Sequence, residues 1–258
     1  MWNGTEWTEV PSTVTGTASS GSITTNSAVS DFSNRYFALG YKNASAGKIH
    51  VSKTGNNSTG DGSSSNPYLT VQYAVDQAST NDSILIGVGT FEEQVTINKK
   101  VNLKGESTTG TKLFIDVINY QNQKLVWVRS DTVSISNMTL SSNSDYNYLL
   151  YADTSIINAK NVVFEQLDSM GGGMGGNNPV YLNEGGSALI DYCSFINTCS
   201  STYQGMDYIA VNIYNADSVS ITNSIFYIKN QYAYSGDKVL YTNSYDNGTY
   251  SVIPHYMS

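Results

Sequence analysis

Four nine-residue segments of the chain align without a gap: 132–140 (TVSISNMTL), 156–164 (IINAKNVVF), 187–195 (SALIDYCSF) and 218–226 (SVSITNSIF). Their second apolar positions, Ile135, Ala159, Ile190 and Ile221, follow one another at 24, 31 and 31 residues. Five positions beyond each stands a bulky apolar residue, Leu140, Phe164, Phe195 or Phe226, and between the two lies Asn137, Asn161, Tyr192 or Asn223. Ahead of the Asn, apolar residues alternate with polar ones, the period of a strand with one buried face. Asn is a favoured turn residue, and its amide can hydrogen-bond the same amide of a stacked copy. The Asn therefore reads as a bend carrying an amide ladder, interrupted at Tyr192. A unit repeated at this period is one coil of a solenoid.

A second set of strands precedes the first: LVWVRSD from Leu125, LLYADTS from Leu149, VYLNEGG from Val180, VNIYNAD from Val211 and VLYTNSY from Val239. Counted back a fixed distance, Leu125, Leu149, Val180, Val211 and Val239 form one inward column. Trp127, Tyr151, Leu182, Ile213 and Tyr241 form another. Two strands per coil, joined by loops of variable length, describe a parallel β-helix; a β-sandwich does not require side chains in register at every coil. Composition points the same way. Only 13% of residues are charged, against about 25% in ordinary soluble proteins. Ser, Thr, Asn and Gly carry the polar load together with 20 Tyr, which suits strands and turns rather than helices. Residues 67–78 are the exception: Leu69, Val71, Ala74 and Val75 make an amphipathic helix, with Ser65 or Asn66 at its cap and Pro67 in its first turn. Such a helix covers the exposed end of a sheet.

The stretch HVSKTGNNSTGDGSSSNPYLTVQYAVDQA, followed by SILIGVGTFEEQVTINKKVNLKGES, resembles the entry segment of pectate-lyase-like, right-handed parallel β-helix proteins. The resemblance runs from about Lys48 to the end. It implies an all-β solenoid over 47–258, with a short N-terminal capping helix and a strand-rich N-terminal extension at 1–46. That extension, through the phrase SDFSNRYFALG, looks like the closing strands of small β-domains in secreted bacterial surface proteins. The implied location is extracellular, at the cell surface. The superfamily spans lyases, hydrolases, esterases, epimerases, tailspikes and adhesins, so fold alone does not choose an activity.

Net charge of −8 argues against nucleic acid, whose phosphates need a basic surface. No apolar run approaches the roughly 18 residues of a membrane span. His50 and His255 lie at opposite ends and no CxxC occurs, so no metal site is expected. Cys193 and Cys199 leave a disulfide open in an oxidising compartment. The opening lacks the regions of a signal peptide, which reads as a processed or excised chain. The last strand-like stretch has no cap, so the final coil is expected to meet further domains or other copies of itself.

Two groups are candidates for chemistry. Arg129, Asp153 and Glu184 each lie six residues before the reference position of their coil and form an outward column with Asn215. No cofactor is expected, except that a lyase could use the carboxylates to hold Ca2+ and Arg129 as base. A glycoside hydrolase would use Asp153 and Glu184 as a carboxylate pair. A surface ion ladder accounts for the same residues. Beyond Lys124 the bases are only Arg129, Lys160, Lys229 and Lys238, a poor supply for a polyanionic substrate. The second group lies in loops 141–148, 165–179, 196–210 and 227–238, which leave one corner. They carry Tyr146, Tyr148, Asp168, Tyr203, Asp207, Tyr208, Tyr232 and Tyr234, residue types that stack on sugar rings and bond their hydroxyls. The glycine-rich stretch 170–179 lacks the Lys and following helix of a phosphate cradle. The main expectation is thus a structural or adhesive module that contacts polysaccharide or cell-surface glycan, or assembles end to end into a filament. The alternative is a polysaccharide lyase or glycoside hydrolase.

Overall fold

The computed structural model describes residues 12–17, 20–25, 47–116, 123–143, 148–167, 178–197, 209–214, 217–228, 238–242 and 249–254. The chain divides into two compact units, Met1–Ser45 and Ala46–Ser258. In the first, the strands Ser12–Thr17 and Ser20–Thr25 pair antiparallel, with Ser12 opposite Thr25 and Thr17 opposite Ser20. The second unit is a right-handed parallel β-helix whose described strands form an eleven-stranded and a six-stranded sheet.

From Thr132 onward, one residue makes the corner between the first two faces of a coil. Asn137, Asn161, Tyr192 and Asn223 have φ of 55°, 54°, 53° and 50°, left-handed values that Asn tolerates better than other side chains. The strands Thr132–Ser142 and Ile156–Gln166 run through this corner. The larger sheet is therefore folded into two faces, and the smaller sheet makes the third. Each coil has three faces where the repeat had indicated two strands. Asn161 Nδ2 donates to Asn137 Oδ1 at 2.9 Å, the first rung of the amide ladder. At Tyr192, 57% exposed, the ladder stops as read from the sequence. Asn223 Nδ2 turns instead to Asp191 Oδ1 at 2.9 Å.

Parallel register stacks like on like. On the first face the column Ile84, Leu103, Ile135, Ala159, Ile190, Ile221 is buried throughout. Past the corner, Phe91, Leu113, Leu140, Phe164, Phe195 and Phe226 form another. Phe195 is sandwiched: its ring centroid lies 4.9 Å from that of Phe164 and 4.8 Å from that of Phe226. Cys193 is free and buried beside this column, and burial pushes its thiol up to about 12. Cys199 lies outside the described residues.

The third face corrects two expected columns. The register aligns Val126, Leu150, Val180, Val211 and Leu240, and beside them Val128, Ala152, Leu182, Ile213 and Thr242. Leu125 and Leu149 are buried but sit one residue off the Val180 rung, and Trp127 and Tyr151 face outward. Counting failed because the turn after the third-face strand changes length. Ser155 and Gly186 adjoin, through Ser187 N donating to Ser155 O at 2.9 Å. Asp153 precedes Ser155 by two residues, whereas its register partner Asn183 precedes Gly186 by three. The extra residue is accommodated at Gly185, whose φ of 68° is open to glycine without strain.

The capping helix is Val71–Gln77, shorter than expected, with Thr70 rather than Ser65 or Asn66 as its N-cap. Tyr68 N donates to His50 O at 2.9 Å, and Tyr68 bridges to Val51, so residues ahead of Thr70 extend the sheet and Leu69 is exposed. The helix is fastened by the coil beneath it. Glu93 accepts from Val71 N at 2.8 Å and Gln72 N at 2.9 Å. Lys99 Nζ donates to Asp76 O and Ala78 O at 3.0 and 2.9 Å. An anion at the N-terminus and a cation at the C-terminus both match the helix dipole. No helix among the described residues is long and apolar enough to cross a membrane.

Two substitutions test this packing by equilibrium denaturation. Phe195→Ala removes the middle of a three-ring stack and should destabilise by about 3–5 kcal/mol; a loss below about 1 kcal/mol would contradict the stack. Asn161→Leu loses the ladder bond and places a branched side chain at positive φ, for an expected loss of about 1–3 kcal/mol. Asn161→Gly, which frees the backbone but not the ladder, should fall between Leu and wild type.

Candidate functional site

The outward positions of the third face gather the aromatic and charged side chains that counting had separated. Register places Tyr148 beside Lys124, and Tyr151 between Trp127 and Tyr181. The flanking Val126, Val128, Leu150, Ala152, Val180 and Leu182 are buried, so strand alternation turns the three rings outward. Tyr151 and Tyr181 stack with centroids 5.1 Å apart and planes inclined by 5°. Tyr148 meets them edge-on at 5.3 and 5.2 Å. Lys124 Nζ lies 3.9 Å from the ring centroids of both Trp127 and Tyr151. The Arg129 guanidinium carbon lies 4.7 Å from that of Trp127. Such contacts offset the cost of placing a cation against a partly dry surface.

Asp153 ties three rungs together. Its Oδ2 accepts from Trp127 Nε1 at 2.7 Å and its Oδ1 from Asn183 Nδ2 at 3.1 Å. Both oxygens thus have a donor from a neighbouring coil, and the carboxylate is held in one orientation. Burial raises the phenols of Tyr148 and Tyr181, with neighbouring tyrosines adding to the effect at Tyr181. Tyr151 is pushed up to about 12, first by burial, then by Asp153 and the adjoining tyrosines. These hydroxyls are neutral donors at any physiological pH.

Of the residues singled out from sequence, Arg129, Asp153 and Tyr148 belong to this strip. Glu184 does not share their column: Asn183 stands opposite Asp153, and Glu184 is the exposed extra residue of the turn. Arg129 rests on Trp127, and among the described residues the ion pairs are Lys112–Glu165 and Lys160–Asp191. The continuous Arg129–Asp153–Glu184 line is therefore replaced by a ring-and-amide network. Tyr146, Asp168, Tyr203, Asp207, Tyr208, Tyr232 and Tyr234 lie outside the described residues, as does Asn215. Lys124, Trp127, Tyr151, Tyr181 and Asn183 were missed as site residues. An aromatic at the third place of LVW, LLY and PVY was the available signal, visible once the strands are aligned on themselves. Among the described residues no group of three or more His, Cys, Asp or Glu side chains could hold a metal ion.

Neither a protein-family model nor a curated relative matches the sequence. Among solved structures the chain is similar to pectin methylesterase PemA from Erwinia chrysanthemi, with a TM-score of 0.41 and 16% identity, covering 71% of this chain and 67% of that one. It is also similar to the pectin methylesterases of Aspergillus niger, at TM-score 0.33 and 17% identity over 82% and 86% of the two chains, and of carrot, at 0.27 and 12% over 81% and 90%. The likeness is one of winding, and nothing about the strip rests on it.

The tyrosine cluster gives a pH signature. A phenol whose folded pKa is raised stabilises the fold fully below its unfolded pKa, and that contribution is lost as pH rises through the folded value. Stability should therefore fall between pH 10.0 and about 12 for Tyr151, and Tyr151→Phe should flatten that limb. Denaturation midpoints across the alkaline range, read beside phenolate absorbance, check it.

Proposed function

We propose that the chain is a carbohydrate-engaging β-helix and that the Trp127–Tyr151–Tyr181 strip is where it contacts a polysaccharide. The row of rings, flanked by Lys124, Arg129 and Asp153, is the observation that carries this reading. A sugar presents apolar C–H faces and a rim of hydroxyls, and half-buried Tyr and Trp offer both an apolar body and a polar tip. The rings are held by one another and by Lys124, so little side-chain freedom remains to be lost on binding. Rungs about 4.8 Å apart repeat on the scale of a sugar residue, which suits an extended polymer laid along the axis. Lys124 and Arg129 can also bond a sugar carboxylate. End-to-end assembly into a filament gains no support from the described residues.

A second reading, that the strip acts on the polymer as a lyase or hydrolase, is favoured by Asp153. A carboxylate oriented by two N–H donors, with Arg129 at the next rung, is a positioned acid–base group rather than a mobile surface charge. An oriented acid–base group serves ester hydrolysis as well as elimination or glycoside hydrolysis, so ester cleavage belongs among the assays.

Affinity electrophoresis or calorimetry against esterified pectin, de-esterified pectin and a neutral glucan tests the binding reading. Trp127→Ala and Tyr151→Ala should each weaken binding about fivefold, since a lost aromatic contact is worth on the order of 1 kcal/mol. Equal affinity of Trp127→Ala and wild type, or no binding to any polymer, would remove the strip from function. In parallel, unsaturated products, new reducing ends and released methanol are followed. Turnover that Asp153→Asn abolishes while binding persists would make the strip an active site.

A further inference from the structure

The outer side of the first face carries a hollow of about 440 Å³ at the amino-terminal coils. Register sets His50, Leu85 and Lys104 in one outward column. Ser52, Gly87 and Glu106 follow two residues further along, where Gly87 N donates to Val51 O at 2.9 Å and Glu106 N to Ile86 O at 3.0 Å. Gly87, in the middle rung, contributes no side chain, and its absence opens the floor beside Leu85. Ser64 and Pro67 form part of the wall.

That wall is fixed before any ligand arrives. His50 N donates to Gly62 O at 2.8 Å, Ser52 N to Tyr68 O at 2.9 Å and Asn56 N to Pro67 O at 3.0 Å. Asn57 Oδ1 accepts from Leu69 N at 2.8 Å, and Asn66 Nδ2 donates to Thr59 O at 2.8 Å. A Cβ on Gly55 would lie 2.2 Å from Tyr68 O, and one on Gly60 2.3 Å from Asn56 O, so the loop closes more tightly than any other residue would allow. Against this wall the side chains of His50, Lys104 and Glu106 have no hydrogen-bond or ion-pair partner among the described residues.

We infer that this hollow is a binding site for one or two units of a neutral sugar. Lys104 and Glu106 stand two residues apart on one strand, a cation and an anion, with the His50 imidazole two rungs away across Leu85. A polyanion meets Glu106 as well as Lys104, on a chain already carrying a net charge of −8. A sugar hydroxyl both donates and accepts, so a polyol satisfies all three groups at once: it donates to Glu106, accepts from Lys104, and does either with His50. Leu85 and Pro67 supply the apolar surface for the C–H face of the ring. The volume falls in the range of small-ligand pockets, roughly 300–1,000 Å³. The site lies on a different sheet from the aromatic strip and does not depend on it.

The chain has two His, so His255→Gln leaves His50 as the sole imidazole, and its ring protons report on the hollow in a proton NMR titration. In that background galactose, cellobiose and maltose are the neutral probes, with galacturonate and glycine as charged ones. At least one neutral sugar should shift the His50 signals saturably. Glu106→Gln should weaken that binding by about tenfold or more, the loss of a hydrogen bond to a charged group. Gly87→Ala, which fills the floor, should weaken it as well, and Trp127→Ala should leave it unchanged. Glu106 is exposed, so Glu106→Gln remains informative if Gly87→Ala disturbs the fold. No shift with any neutral sugar would overturn the inference. So would equal binding by Glu106→Gln and wild type, or tighter binding of galacturonate or glycine than of every neutral sugar.

Discussion

Register between successive coils is the constraint on which the rest of the molecule depends. In a parallel stack each residue faces its counterpart one rung away, about 4.8 Å distant, so a side chain that suits one coil must suit the next. Apolar columns bury themselves in this way, and Phe164, Phe195 and Phe226 become a ring stack because they occupy one position of three consecutive coils. The corner holds the register. A strand that bends in mid-run spends one residue at positive φ there, as Asn137, Asn161 and Asn223 do, and the Asn161 amide also bonds the corner before it. Where Tyr192 occupies the corner, Asp191 just ahead of it takes over the linking role, accepting from Asn223 and from Thr222 Oγ1 at 2.7 Å. Those bonds hold its carboxyl below the usual range, with Lys160 a smaller contribution.

The amino-terminal end answers to the same constraint from the opposite side. A stack has no neighbour beyond its first rung, and the helix Val71–Gln77 lays Val71, Ala74 and Val75 over the core there. A helix of this length is unstable alone. Its termini are held from the coil below by Glu93 and Lys99, whose charges are spaced to meet the two ends. The glycine-rich loop ahead of it is locked by amide side chains and by glycines that no Cβ could replace. Cap, loop and first coil therefore form one preorganised body, which is why a hollow can persist against the first face.

How much of this was legible in the sequence follows from which features repeat. The corner, the columns at Ile135 and Phe195 and the solenoid itself recur in each period and could be read from four aligned segments, against which the one break at Tyr192 stands out. The third face was misread because it was located by counting back across a turn. One added residue between Asn183 and Gly186 shifts the strand by one, and a shift of one exchanges inside for outside. Trp127 and Tyr151 were thereby assigned to the core and Glu184 to a charged line. The helix cap was misplaced for a related reason: Pro67 and Asn66 carry cap chemistry, but Tyr68 is claimed by the strand Lys48–Val51, a long-range pairing that no local pattern announces.

That sensitivity to single residues bears on how such a scaffold acquires function. The inward positions are fixed by packing, whereas the outward positions inherit the same regular spacing with almost none of the constraint. A row of rings forms wherever three consecutive coils carry an aromatic at one outward place, and a hollow forms wherever one outward place is glycine. Neither change touches the core columns, since alternation puts the affected side chains on the other side of the backbone. Asp153 shows the limit of that freedom: it draws donors from the coils before and after it, so its orientation is set by the stack as a whole. Chemistry on this surface is therefore to be sought where an outward polar group is bound to two neighbouring rungs, because only there does the rigidity of the register reach the reactive atom.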